Sequence, residues 1–139
     1  MDSQLGARAT ALRLVFGVTA AVAGLDKFFN LLADWSGYVS PLAVQLLPIS
    51  ADVLMYVVGI IEVAVGIAIL GIAPVVGAYV ASAWLLLVAV NLLIGGFIDI
   101  AVRDVVMSAA AFTLARLLEL RAQATVPGVV ASTQPRLSV

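Results

Sequence analysis

The chain contains no cysteine and no histidine. Those two absences exclude disulfides, cysteine-ligated iron–sulfur clusters, thiol redox chemistry, Cys/His zinc sites, histidine-ligated haem and histidine general bases. Charge is scarce too, with seven Lys+Arg and eight Asp+Glu among 139 residues, or 11%. A soluble domain carries about 25%, so these charges cannot cover a water-facing globule of this length. The net charge of −1 provides no basic field for nucleic acid. With 64% hydrophobic residues, the chain also lacks the polar composition that disorder requires. No P-loop occurs, and no glycine fingerprint follows a strand pattern.

The sequence has apolar length instead. Four runs stand out, at about residues 9–32, 51–70, 74–97 and 100–120. Each is about 20 residues or slightly more, the length that crosses about 30 Å of hydrocarbon as a helix. Barrel strands would alternate every second residue, and stretches such as VVGIIEVAVGIAIL do not. The fold class expected is therefore all-α: a polytopic four-transmembrane-helix bundle over residues 1–121, with a mobile cytoplasmic tail at 122–139. Arg8 and Arg13 ahead of a short apolar stretch resemble a secretory leader; we take this segment as the first span. The long connection, Ala33–Ser50, carries Pro41 and Pro48 around a strongly apolar core. It reads as an interfacial or re-entrant segment anchored by Trp35 and Tyr38 at headgroup depth. With four spans, Arg8, Arg13, Arg116, Arg121 and Arg136 share one side and only Lys27 and Arg103 the other. The basic side is expected in the cytoplasm, which gives a multi-pass protein of the cell (inner) membrane with both termini inside.

Charges inside spans are costly, and by default they point to function. The candidates are Lys27, Glu62, Asn91, Arg103 and Asp104, supported by Asp26, Asp99 and Trp84. Glu62 falls about 16 Å into its helix, near the midplane, and Asn91 about 9 Å from the outer end of its own. In every run small residues share a stripe with the polar ones. The stripes are Arg13, Gly17, Ala20, Gly24 and Lys27; Gly59, Glu62 and Gly66; Gly77, Ala81, Trp84, Val88, Asn91 and Gly95; and Asp104, Ser108, Ala111 and Ala115. Small residues mark close helix contact in membranes, which turns the polar groups inward. Lys27 or Arg103 would neutralise Glu62. The cluster either forms a polar pocket or serves only as an internal salt bridge that fixes packing. Asp99 and Arg103 at i,i+4 suit a helix-start ion pair. Trp84, and Tyr79 deeper, either contact a quinone ring or simply pack. No metal site and no catalytic residue is expected.

These residues also resemble the DoxX-like membrane proteins. The resemblance lies in Arg13 and Gly17, then Gly24-Leu25-Asp26-Lys27-Phe28; in Gly59, Glu62 and Gly66; in Asn91; and in Asp99 with Arg103-Asp104. It spans about residues 10–118 and implies a four-helix membrane domain. The family takes its name from membrane subunits associated with thiosulfate:quinone oxidation. The small size, the lack of Cys and His ligands and the nearly continuous apolar exterior point to a non-catalytic accessory or structural subunit of a larger respiratory or electron-transfer complex, whose partners are the bilayer and other membrane subunits. Alternatives are a membrane subunit of a quinone-linked oxidoreductase and a small carrier or lipid-binding protein. No cofactor would be held by Cys or His; quinone or lipid is the class left open.

Overall fold

The computed structural model describes residues 2–125. Among them every regular element is helical. Helix α1 (Asp2–Asp26) is followed by a short 3-10 turn at Trp35–Tyr38 and by the six-residue α2 (Pro41–Leu46). Helix α3 (Ala51–Ile67) continues through a π-helical turn at Ala68–Ile72 into α4 (Pro74–Ile94), and α5 (Ile98–Ala124) closes the described chain.

Local chemistry sets these boundaries. Ser40 and Ser50 cap α2 and α3, their hydroxyls accepting from the Ala43 and Val53 amides. Pro74 starts α4, where no amide is needed. Gly96 follows α4 with φ +86°, a backbone state that glycine adopts without strain.

The first span ends six residues before the expected Leu32. The Asp26 carboxylate accepts from the Leu31 and Leu32 amides at 3.0 and 2.9 Å and draws the chain out of the helix. The third run stops at Ile94 rather than 97. The fourth extends past both expected ends and takes in Ala122–Ala124, which had been assigned to a mobile tail. Residues 126–139 of that tail, Arg136 included, lie outside the described residues. The connector folds as a 3-10 turn and a six-residue helix.

By length and composition, three segments can cross a membrane: Ser3–Asp26, Ala51–Ile72 and Pro74–Ile94. Helix α5 is 27 residues long, and its charged residues sit toward its two ends, leaving Val105–Ala115 uncharged.

The four long helices associate as two pairs, α1 with α3 and α4 with α5, with sparser contact between the pairs. In the first pair the backbones touch. A Cβ on Gly59 would lie 2.6 Å from the Gly24 carbonyl oxygen, and one on Gly66 2.7 Å from that of Gly17. The second pair packs through Ala78, Ala81, Ala111, Leu114 and Ala115, all buried. The pairs meet at one end only, where Val65 and Ile69 join Ala81 and Ala111, with Phe16 packed alongside. Toward the Lys27 end they leave a gap.

Candidate functional site

The gap is a cavity of about 870 Å³, and all five principal sequence candidates line it: Lys27, Glu62, Asn91, Arg103 and Asp104. Trp84 lines it as well, with the connector residues Trp35 and Tyr38. Most of the wall is apolar, including Phe16, Val65, Leu85 and Met107.

Lys27 leaves the end of α1 and donates to Glu62 of α3, Nζ to Oε2, at 2.5 Å. The side chains are 5% and 16% exposed, so this is an ion pair largely removed from solvent. Lys27 Nζ also reaches the Ala23 carbonyl at 3.5 Å and stands 3.9 Å from the Trp35 ring centroid. Both oxygen partners and the ring face therefore use the ammonium. Of the two cations expected to neutralise Glu62, Lys27 is the one that does.

Arg103 pairs elsewhere. Its Nε and Nη2 both donate to Asp104 Oδ1, at 3.0 and 2.9 Å. Asp104 is buried, while the Arg103 side chain is 63% exposed. The expected Asp99–Arg103 pair is not formed; the guanidinium turns to the adjacent Asp104 carboxylate instead. Asp99 is exposed at the start of α5 and does not line the cavity.

Asn91 and Asp26 are buckles for the connector. Asn91 Oδ1 accepts from the Ser40 amide at 2.9 Å, and its Nδ2 donates to the Tyr38 carbonyl at 2.8 Å. Asp26 accepts the Trp35 indole N–H at 2.8 Å besides the two amides already described. Asp26 is buried but supports the wall from behind rather than lining it. Trp35 and Tyr38 are half-buried and hold their rings against the protein. Trp35 covers Lys27, and Tyr38 packs edge-on against Phe97 with centroids 4.9 Å apart.

Trp84 has an unusual polar atom. Its Nε1 is buried and, among the described residues, is the one buried side-chain polar atom without a hydrogen-bond partner. Tyr79 does not line the cavity; its hydroxyl donates to Glu119 at 2.9 Å, and its ring packs on Phe112.

Sequence reasoning missed three contacts. Trp35 closes over Lys27 from a non-helical stretch, where no periodicity signals it. Ser82 and Ser108 cross-bond α4 and α5, each hydroxyl donating to the other's carbonyl, at 2.9 and 2.7 Å. Ser108 does stand on the predicted stripe, whereas Ser82 does not. The Arg13 guanidinium donates to the Leu70 carbonyl within the π turn; its place on the glycine stripe was visible, but its partner was not.

The sequence matches the DoxX family model over residues 9–94. The chain belongs to the DoxX family. The family region includes Lys27, Glu62, Trp84 and Asn91, together with the connector, and stops short of Arg103 and Asp104. Neither a curated protein nor a solved structure matches the chain. Family membership and the apolar helices agree in making this a membrane protein. In that setting the exposed leucines, valines and isoleucines of α1, α3 and α4 are lipid contacts rather than a solubility defect.

Proposed function

We propose that this protein is a non-catalytic membrane subunit that holds a lipid-soluble small molecule, a quinone or a lipid, between its helix pairs. It serves a larger respiratory or electron-transfer complex whose redox centres reside in other chains. One observation carries the binding reading: an apolar cavity of about 870 Å³ whose few polar groups come from four different helices and the connector. Ligand sites combine that size with an apolar wall and a few convergent polar groups. The lack of cysteine and histidine supports leaving redox centres built on those ligands to partner chains.

The same reading takes α5 as the fourth span. It lies along α4, and its uncharged middle runs from Val105 to Ala115. The Arg121 guanidinium donates to the Gly6 carbonyl, so the start of α1 and the end of α5 share a side. That side carries Arg8, Arg13, Arg116 and Arg121, which favours a cytoplasmic face in the cell (inner) membrane.

The test is to isolate the protein in native membrane particles, extract it with organic solvent and identify what accompanies it. A lipid-soluble molecule in stoichiometric amount is expected. Filling the cavity with Ala23→Trp or Val88→Trp should expel it. Equal recovery from wild type and both variants would remove the reading.

A further inference from the structure

The cavity has a polar end and an apolar end. Lys27, Asn91, Arg103 and Asp104 line it near the helix ends that meet the connector or the α4–α5 turn. Phe16, Val65, Ala81 and Leu85 line it where the helix pairs close on one another. Phe16 stands eleven residues before Lys27, about 16 Å along the α1 axis. The space therefore has the outline of an amphiphile, with its head near Arg103 and its tail reaching toward Phe16.

Among the described residues, two cations line the wall, and they differ in what they have left to offer. Lys27 is buried and commits its ammonium to Glu62, the Ala23 carbonyl and the Trp35 ring. The Arg103 side chain is exposed. A guanidinium is a flat fork with five N–H donors. Arg103 turns one edge of it, Nε with Nη2, to a single oxygen of Asp104. The end of the fork, Nη1 with the second hydrogen of Nη2, has no acceptor among the described residues. Two parallel donors there match the two oxygens of a carboxylate or a phosphate, the bidentate geometry that separates Arg from Lys.

Asp104 fixes the fork in place. It is buried, and it holds the guanidinium at a wall that both residues line. Arg103 is the sixth residue of α5, about 8 Å from the helix start. Helix α5 is about 40 Å long against about 30 Å of hydrocarbon. With α5 taken as a span, Arg103 lies near the boundary between headgroups and acyl chains. An anionic head can stay hydrated there while its tail enters the cavity, so its charge does not have to be buried.

Building on the reading that the cavity holds a lipid-soluble molecule, we propose that this molecule is an anionic amphiphile. Its carboxylate or phosphate head is gripped end-on by Arg103, and its apolar tail runs toward Phe16. Arg103 is the recognition residue and Asp104 the positioning residue. Two sources share this chemistry, a free fatty carboxylate and the phosphate of an acidic lipid. A quinone presents single carbonyl oxygens and leaves half of the fork unmet.

The full-length protein in maltoside micelles is titrated with three tail-brominated probes: ω-bromoundecanoate, ω-bromoundecyl phosphate and ω-bromoundecanol. A brominated tail in the cavity quenches Trp35 and Trp84, which both line it. A decyl-substituted benzoquinone is added as a competitor. At least one anionic probe should bind at least tenfold more tightly than the alcohol or the quinone, and the tighter of the two anions identifies the source. Arg103→Lys keeps the charge and removes the fork; it should lower that preference at least threefold. Arg103→Gln combined with Asp104→Asn removes both charges together and strands no buried carboxylate. It should abolish the preference while the alcohol still quenches as in the wild type, which shows that the cavity is intact. In the wild type alone, the Arg103 side-chain N–H resonances should shift with the anionic probe and stay in place with the alcohol. An alcohol or quinone that binds as tightly as both anions, an unchanged preference in either variant, or stationary Arg103 resonances would each overturn the proposal. If no probe binds the wild type, the ligand-holding function itself fails, an outcome distinct from a wrong head-group assignment.

Discussion

The two helix pairs are built on different principles. Helices α1 and α3 touch backbone to backbone at two glycine contacts, and their side-chain ion pair lies at the cavity edge. Helices α4 and α5 stay apart by the width of alanine and serine side chains and are joined by a reciprocal serine pair in mid-helix. In lipid there is no hydrophobic force to bring helices together, so both pairs rely on close packing and interhelical hydrogen bonds. The first pair concentrates those interactions at a few positions with no spare volume. The second distributes them along a longer seam. Substitutions should therefore be far more harmful in the first pair than in the second.

Four single substitutions and one double mutant test that contrast, from the largest effect to the smallest. Lys27→Met leaves Glu62 with an unpaired charge in a site mostly closed to solvent. It should cost about 3–5 kcal/mol, measured as loss of folded protein in denaturant titrations. Adding Glu62→Gln should restore part of that loss; strictly additive costs in the double-mutant cycle would mean that the pair is not coupled. Gly59→Ala drives a methyl into the Gly24 carbonyl and should cost about 3 kcal/mol. A cost near zero would show that the α1–α3 seam can relax and would erase the contrast. Asn91→Leu strands the Tyr38 carbonyl and the Ser40 amide, a loss of about 2 kcal/mol. It should also raise hydrogen exchange in the connector while leaving both helix seams protected. Ser82→Ala removes one half of the serine pair and should cost about 0.6 kcal/mol, the average for interhelical hydrogen bonds in a membrane. A loss above that for Gly59→Ala would reverse the ranking of the two seams.

Much of this architecture was legible in the sequence. The four apolar runs gave the four long helices, and the small-residue stripes gave the faces that meet. Gly17, Gly24, Gly59 and Gly66 all stand at the first seam; Ala81, Ser108, Ala111 and Ala115 are buried in or beside the second. Lys27, Glu62, Asn91 and Asp104 turned inward for the same reason, because a polar group on a stripe of small residues has no route to lipid. What hydropathy hid was local hydrogen bonding. The run through Phe28, Phe29, Leu31 and Leu32 is as apolar as a helix interior, yet the Asp26 side chain captures its amides and ends the helix. Asp99 and Arg103 have ideal helical spacing, but spacing does not reveal that Asp104 competes for the guanidinium. Nor does periodicity reach Trp35, whose place over Lys27 depends on how a non-helical connector folds back. The cavity was anticipated only as one of two outcomes of the polar cluster, since its volume comes from the divergence of whole helix pairs.

The connector's attachment to Asn91 also has a consequence for the order of synthesis. The two bonds from Asn91 join residues 51 and 53 positions apart in sequence, whereas the Asp26 bonds span at most nine. During translation the first helix, the connector and the third helix emerge before Asn91 exists. The glycine seam and the Lys27–Glu62 pair can form in that interval, because every residue they need has already been made. The connector then stays fastened at one end only until the fourth helix arrives. Closure of the connector over the cavity is thus a late property of the nascent chain, for which the first helix pair does not have to wait.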